Sequence, residues 1–199
     1  QKYNRQDIED ALTKYFKIPK FRKNILPNKN KVKKITVFPI SQSPIRTMTS
    51  QLIKEIIEKL YNTYQIEVIF DRTSNISNHI DKNISNDLII KSYPKNLNEL
   101  IEIIERVEFG IFVDSGPLHV AKINNIRGLL IITSVGGKNL LNDFGSIDII
   151  DNNYYSAFCE APCGLTNIFN FDNKIGCYET LKLSKDKIIT LEKFNSLQR

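Results

Sequence analysis

Short apolar runs alternate with amphipathic segments along most of this chain, and this alternation restricts the possible folds most strongly. The runs are apolar throughout rather than at every second residue, which is typical of parallel strands covered on both faces. The segments between them carry apolar residues at helical spacing. Strand and helix alternate five times in this way, so the sequence predicts an α/β fold with a Rossmann-like, doubly wound parallel sheet.

The predicted elements follow from this pattern. Strands are expected at six apolar runs: Lys34–Ile40, Ile66–Phe70, Leu88–Lys91, Phe109–Val113, Leu129–Thr133 and Ile147–Ile150. Helices are expected over Arg5–Phe16, Gln51–Tyr64, a short stretch around Ile76 and Ile80, Leu97–Val107, Ser115 to about Asn124, and Lys185–Leu197. Asn96 and Glu99 form a capping-box pattern, which opens a helix whose core face includes Leu97. The region of the cysteines is expected to be loop.

These elements divide the chain into three parts. A leading helix and a linker occupy residues 1–32, the Rossmann-like domain occupies residues 33–183, and a closing helix occupies residues 184–199. The first residue is Gln rather than Met, so we expect the chain to have been cut from a longer protein or processed.

Net charge narrows the classes of partner. The 28 Lys and Arg residues exceed the 22 Asp and Glu residues, which gives a net charge of +6. Such an excess suits an anionic ligand, an anionic membrane surface or nucleic acid. The basic run Lys14–Lys34 lacks the glycines and aromatic residues of an RNA-binding sheet, so we expect no nucleic-acid partner. No apolar run is long enough to cross a membrane and no secretory signal is visible, so a cytoplasmic location is expected.

The three cysteines are Cys159, Cys163 and Cys177. An odd number without a secretory signal argues against a disulfide framework and for a reducing compartment. No Cys-x-x-Cys pair is present, and His79 and His119 are distant in sequence, so no metal site is expected. Buried free thiols are the simplest interpretation; a Cys159–Cys163 disulfide formed in vitro stays open.

The strongest candidate for a binding site lies in the stretch from Phe109 to Val120. Asp114, Ser115 and Gly116 stand where a strand ends and a helix begins, with Ser115 as the expected N-cap. In an open α/β sheet this edge binds ligands, because the unpaired amides at a helix N-terminus attract anions. His119, one turn further along, could face the same crevice. An ordinary strand-to-helix turn is the alternative interpretation.

Other loops at the same predicted edge carry suitable groups. Ser41, Ser43 and Arg46 follow the first strand; a guanidinium beside helix amides would bind a pyrophosphate. Asp71 ends the second strand, where an acidic residue accepts hydrogen bonds from a ribose. Gly136, Gly137 and Lys138 follow the fifth strand, although a plain turn is the commoner meaning of such a glycine pair. The dinucleotide, P-loop and Gly-x-Ser-x-Gly fingerprints are absent, which disfavours dehydrogenases and hydrolases.

The run Val113–Ala121 resembles the Asp-Ser/Thr-Gly-x-x-His-x-Ala signature of bacterial glycosyltransferase family 9, the ADP-heptose:lipopolysaccharide heptosyltransferases. The run Pro39–Ser43, with Arg46 after it, is similar to the family's Pro-Gly-Ala-Ser and following basic residue. Asn96–Leu100 is similar to its Leu-x-Glu-Leu helix. The cysteine-bearing segments Cys159–Gly164 and Cys177–Leu181 resemble its closing region. The similarity extends over about Lys33–Leu181.

The resemblance implies the C-terminal, nucleotide-sugar-binding half of a GT-B enzyme that transfers heptose from ADP-heptose to the lipopolysaccharide core with inversion. It implies no metal and no cofactor besides this donor. Ser115 and Gly116 would hold the diphosphate, Arg46 would pair its charge, and Asp114 and His119 would approach the sugar and phosphates. The general base and the acceptor contacts would come from an N-terminal domain, so the catalytic residue is unknown and this chain alone is expected to be inactive. Peripheral contact with the inner face of the inner membrane is expected as well.

The chain departs from the family pattern at three loops. Ile40 replaces the glycine after Pro39, Asp71-Arg72 replaces a glycine pair, and Ser134–Gly137 replaces Phe-Gly-x-Thr. These departures leave two alternatives: a GT-B transferase that uses a UDP- or GDP-sugar, and a catalytically inactive nucleotide-binding domain.

Overall fold

A computed structural model describes residues 31–43, 46–85, 87–132, 137–141 and 145–150, with short strands at 154–155, 160–161, 170–171 and 174–175. A six-stranded sheet forms its centre, in the order β3-β2-β1-β4-β5-β6, and every pairing in it is parallel. The strands are β1 (Lys34–Phe38), β2 (Gln65–Ile69), β3 (Ile90–Ser92), β4 (Phe109–Phe112), β5 (Gly128–Ile131) and β6 (Ile147–Ile150). This order is that of a doubly wound Rossmann-like sheet, so the predicted fold class is confirmed.

Helices cover both faces of the sheet. They are α1 (Ser50–Leu60), α2 (Asn75–Lys82), α3 (Leu97–Glu105), α4 (Gly116–Ile123) and α5 (Gly137–Leu141). Buried residues of α1 and α2 pack in one apolar cluster, and those of α3, α4 and α5 pack in another. Successive residues of a strand point to opposite faces, so Val37 belongs to the first cluster and Phe38 to the second.

The apolar runs at β1, β2 and β4 form strands that are buried on both faces, whereas β3 and β6 at the two edges of the sheet are partly exposed. Val37 is 0% exposed and Phe38 is 2% exposed. The ring of Phe38 stacks on that of Phe112 in the neighbouring strand, with ring centroids 5.1 Å apart. Full burial of such a side chain stabilises a fold by about 1.5–3 kcal/mol. The strands therefore form a rigid base for the loops at their carboxyl ends.

Side-chain caps fix where the helices begin. Thr49 Oγ1 accepts a hydrogen bond from the amide of Leu52, 3.2 Å away, at the start of α1. Asn96 Oδ1 accepts from the amide of Glu99 at 3.0 Å, which confirms the predicted start of α3. The assignment of Leu97 to the core was wrong, because its side chain is 64% exposed. Leu97 is the first residue of α3 and lines the cleft described below, whereas Ile104, two turns later, is buried.

Two loop predictions were wrong as well. Gly137 begins the short helix α5, and a Cβ added there would overlap the side chains of Ile132 and Ile149, so Gly137 is not part of a loop; Gly136 lies outside the described residues. The region of the cysteines contains two antiparallel pairs of two-residue strands, at 154–155 with 160–161 and at 170–171 with 174–175. The predicted first and last helices and the cysteines themselves lie outside the described residues.

Candidate functional site

An open cleft of about 1190 Å³ lies at the carboxyl edge of the sheet. Its walls follow β1, β2, β3 and β4, and it includes the point between β1 and β4 where the strand order reverses. Open α/β sheets bind ligands at such a point. Seven of the eight predicted site residues line this cleft: Ser41, Arg46, Asp71, Asp114, Ser115, Gly116 and His119. The eighth, Ser43, is absent from the lining.

Ser43 and Thr47 shape the loop after β1. The backbone oxygen of Ser43 accepts hydrogen bonds from the amide of Arg46 and from Thr47 Oγ1, each at 3.0 Å. The buried Thr47 hydroxyl also lies 3.1 Å from the backbone oxygen of Ser41 and accepts from the amide of Ser41 at 3.0 Å. These contacts hold the described residues at the two ends of this loop together. Ser43 therefore acts through its backbone, which places Arg46 beside β4.

The side chains of Ser41 and Arg46 join this loop to Asp114, just beyond the end of β4. Ser41 Oγ donates a hydrogen bond to the backbone oxygen of Asp114 at 2.9 Å. Arg46 Nη1 lies 3.0 Å from Asp114 Oδ2. The Asp114 side chain is 9% exposed and the Arg46 side chain 17% exposed, so the ion pair is mostly removed from water. Asp114 thus holds the guanidinium of Arg46 at the floor of the cleft.

The guanidinium of Arg46 still has donors to offer. Its Nε is buried and has no hydrogen-bond partner among the described residues. A buried donor without an acceptor costs about 1–3 kcal/mol. A ligand oxygen that reached Nε would remove this cost and would be bound by a positive charge as well.

The N-terminus of α4 opens into the same cleft. Ser115 occupies the N-cap position, as predicted, but its side chain caps nothing, because Ser115 Oγ donates to the backbone oxygen of Val113 at 3.2 Å. Pro117 has no N–H, and none of the described residues accepts a hydrogen bond from the amide of Gly116. A Cβ added to Gly116 would meet nothing within 4 Å. The positive end of α4 is therefore accessible to an anion.

Asp71 lies on the next wall of the cleft, where β2 ends. Its Oδ1 accepts hydrogen bonds from the amide of Thr73 at 2.8 Å and from Thr73 Oγ1 at 2.6 Å. This turn fixes an exposed carboxylate at the opening of the cleft. A carboxylate oxygen in such a position can accept hydrogen bonds from the hydroxyl groups of a ligand.

Arg72 and Tyr93 form the far wall, and the sequence analysis did not assign either of them to the site. The guanidinium carbon of Arg72 lies 4.4 Å from the centre of the Tyr93 ring. Tyr93 Oη donates to the carboxylate of Asp81, at 3.0 Å from Oδ2. Burial raises the pKa of Tyr93, and its hydrogen bond to Asp81 raises it further. The prediction of β3 over Leu88–Lys91 concealed Tyr93, because β3 ends at Ser92.

The site contains donors for an anion and carboxylates for hydroxyl groups. Among the residues that the structure describes, no group of three or more His, Cys, Asp or Glu side chains is placed to hold a metal ion. Within the same residues, no helix has both the length and the apolar character needed to span a bilayer.

Comparisons with solved structures identify the fold. The chain aligns over its whole length with 53% of an E. coli ADP-heptose lps heptosyltransferase II, with a TM-score of 0.52 and 14% sequence identity. It has the fold of a heptosyltransferase. A second match covers 87% of this chain and 48% of TibC from enterotoxigenic E. coli, an iron-containing dodecameric heptosyltransferase in complex with ADP-D-beta-D-heptose, with a TM-score of 0.50 and 16% identity.

Both matched proteins are named heptosyltransferases, which agrees with the resemblance of Val113–Ala121 to a heptosyltransferase signature. The chain spans about half the length of these two proteins. No protein-family model and no curated protein matches its sequence.

Proposed function

We propose that this chain is the donor-binding half of a GT-B glycosyltransferase and binds a nucleoside diphosphate sugar in the cleft. One observation carries the proposal. The guanidinium of Arg46 follows β1 and the uncapped N-terminus of α4 follows β4, and these two strands are neighbours at the point where the strand order reverses. Both groups supply N–H donors and positive potential, which a diphosphate needs. An ordinary strand-to-helix turn does not require both a buried, unpaired Arg46 Nε and an uncapped helix N-terminus.

Each predicted residue has a role in this proposal. The amide of Gly116 and the hydroxyl of Ser115 bind phosphate oxygens, and Arg46 pairs the phosphate charge. Ser41 and Asp114 position Arg46 and the end of β4, and Asp114 also approaches the sugar with His119. Asp71 accepts hydrogen bonds from the ribose. Ser43 is a positioning residue through its backbone oxygen and does not touch the donor.

The proposed reaction is an inverting transfer. When the bond between the sugar and the diphosphate breaks, negative charge grows on the departing phosphate. The dipole of α4 and the guanidinium of Arg46 stabilise that charge without rearrangement. The general base and the acceptor contacts belong to a second domain, so we expect this chain to bind the donor but to transfer nothing by itself.

The finer details of the proposal come from the resemblance and from the names of the structural neighbours. The donor is ADP-heptose and the acceptor is the lipopolysaccharide core, reached from the cytoplasmic side of the inner membrane. The net charge of +6 favours approach to an anionic lipid surface. A UDP- or GDP-sugar is the second candidate donor, since the loop at Asp71 and Arg72 differs from the family pattern. A nucleotide-binding domain without catalysis is the non-enzymatic alternative.

Calorimetric titration of the 199-residue chain with ADP, UDP, GDP and pyrophosphate tests donor binding. We expect ADP and pyrophosphate to bind, and Arg46→Ala to weaken both by about tenfold or more, because a hydrogen bond to a charged group contributes about 1.5–3 kcal/mol. Lys59→Ala, which removes the same charge from the exposed face of α1, should leave both affinities unchanged.

Other outcomes of this titration separate the alternatives. Preference for UDP or GDP would replace ADP as the donor nucleotide. A folded chain that binds none of the four ligands would contradict the proposal. Donor-dependent transfer by a protein that also contains the second domain would exclude the inactive alternative.

A further inference from the structure

The guanidinium of Arg72 lies over the ring of Tyr93, and hydrogen bonds fix both the ring and the backbone of Arg72. The Tyr93 ring is fixed because its hydroxyl group donates to Asp81, and Lys91 Nζ binds the same carboxylate at 2.7 Å. The backbone of Arg72 is fixed as well, since its oxygen accepts a hydrogen bond from Asn78 Nδ2 at 3.0 Å. A chain of polar contacts therefore sets the position of one cationic group at the wall of the cleft.

The charge of Arg72 is not used within the described part of the chain. None of the described carboxylates forms an ion pair with its guanidinium, although Asp71 precedes it. Arg72 is exposed and lines the cleft. The tyrosine ring covers one side of the guanidinium, so the other side is open to a planar ligand.

The distance between Arg72 and the N-terminus of α4 is similar to the distance between the phosphates and the base of a nucleotide. β2 and β4 are separated by one strand, β1. Neighbouring strands lie about 4.8 Å apart, so Arg72 and the N-terminus of α4 follow strand ends separated by about 10 Å across the sheet. That separation is on the order of the length from the phosphates of a nucleotide to its base. Asp71, proposed to bind the ribose, is the neighbour of Arg72 in sequence.

We propose that Arg72 is the platform for the nucleobase, with the guanidinium between the Tyr93 ring and the base. This inference rests on the proposed function, because it assumes that the phosphates bind at Arg46 and α4. A guanidinium is planar and stacks on aromatic faces. A purine offers a larger face than a pyrimidine, so Arg72 makes the cleft favour ADP and GDP over UDP.

Titration of the full 199-residue chain and its Arg72→Lys variant with ADP, UDP and pyrophosphate tests the inference. The substitution keeps the positive charge and removes the planar group. We expect the variant to bind ADP at least about threefold more weakly, because the planar guanidinium that stacks on the base is lost. Its affinity for pyrophosphate should stay unchanged, since pyrophosphate has no base. Arg106→Lys, at the exposed end of α3 outside the cleft lining, is the matched control and should change neither affinity.

The outcomes separate this inference from the proposed function. If wild-type chain binds pyrophosphate and ADP but Arg72→Lys binds ADP equally well, Arg72 is not the platform. An equal loss of ADP and pyrophosphate affinity would also overturn the inference, because the side chain would then act on the phosphates. Failure of the wild-type chain to bind any of the ligands would overturn the proposed function itself. The ratio of ADP to UDP affinity should exceed one in the wild type and fall in Arg72→Lys.

Discussion

Arg46 Nη1 lies 3.0 Å from Asp114 Oδ2, and this ion pair joins the loops after two neighbouring strands at the floor of the cleft. Each side chain compensates the charge of the other, since Asp114 is buried and the Arg46 side chain is only 17% exposed. An ion pair in this position contributes to the fold and keeps the guanidinium beside the end of α4. Stability and binding are therefore coupled at this contact.

A double-mutant cycle of Arg46→Met and Asp114→Asn measures that coupling. Arg46→Met should lower the free energy of unfolding by about 2 kcal/mol, because it leaves the Asp114 carboxylate buried without its partner. In the double variant no charge is left unpaired, so its loss should be smaller than the sum of the two single losses by about 1 kcal/mol or more. Urea unfolding of the four proteins gives each value. Additive losses would mean that water screens the pair and that Asp114 does not position Arg46.

Much of the fold could be predicted because it depends on local pattern. The runs at Ile35 to Phe38 and at Phe109 to Phe112 form strands since burial on both faces favours apolar residues at nearly every position, with Thr36 as a buried polar exception. Once the sheet is parallel, its carboxyl edge must bring together the loops after β1 and β4. Arg46 and Asp114 were assigned to one site by that rule, without any knowledge of their contact.

The remaining features depend on contacts that no local pattern encodes. Ser115 has the residue type and position of an N-cap, yet its hydroxyl donates to Val113 instead. Ser43 is polar and follows a strand, but its backbone oxygen accepts the hydrogen bond from Thr47 and Ser43 is absent from the cleft lining. Tyr93 directly follows β3, which ends at Ser92, one residue beyond the predicted strand Leu88–Lys91. The positions of these three residues depend on tertiary hydrogen bonds and packing, which the local sequence pattern does not determine.

Thr49 and Ser115, at the starts of α1 and α4, should respond differently to removal of the hydroxyl group. Thr49 Oγ1 caps α1, so Thr49→Ala should lower the free energy of unfolding by about 1 kcal/mol and leave nucleotide affinity unchanged. Ser115 Oγ caps nothing, so Ser115→Ala should cost less stability but weaken ADP binding. Thermal unfolding and calorimetry on both variants measure the two effects. A larger loss of stability in Ser115→Ala than in Thr49→Ala would contradict the structure at α4.

Glu67 makes stability depend on acid pH. Burial raises the pKa of this carboxyl group, but hydrogen bonds from Lys34, Ser92 and Thr36 and the charge of Lys34 lower it by more, so it falls below its usual value of 4.5. The folded chain therefore binds the proton less well than the unfolded chain. The resulting stability is present above pH 4.5 and is lost as the pH falls through the lower pKa of the folded state.

The Glu67→Gln variant tests this dependence. Urea unfolding between neutral pH and pH 3 should show that the wild type loses more stability than the variant below about pH 4.5. Ser92→Ala removes one of the hydrogen bonds to Glu67, at 2.6 Å, and should give an intermediate result. Parallel stability curves for the wild type and Glu67→Gln would show that this carboxyl group does not titrate below its usual range.

Two glycines at the sheet and the cleft should respond to alanine in opposite ways. A Cβ at Gly128 would overlap the backbone oxygen of Gly110 in the neighbouring strand, which cannot move without disturbing the β4–β5 pairing. Gly128→Ala should therefore lower the free energy of unfolding by more than about 2 kcal/mol.

At Gly116 a Cβ meets nothing within 4 Å, and alanine at such a position stabilises a fold by up to about 1 kcal/mol because it restricts the unfolded chain. Gly116→Ala should thus leave the chain as stable as the wild type or more so, yet the added methyl group stands where a phosphate would approach the amide. We expect a gain or no change in the unfolding midpoint together with weaker binding of ADP and pyrophosphate. Unchanged affinity in a stable Gly116→Ala chain would place the phosphates elsewhere in the cleft.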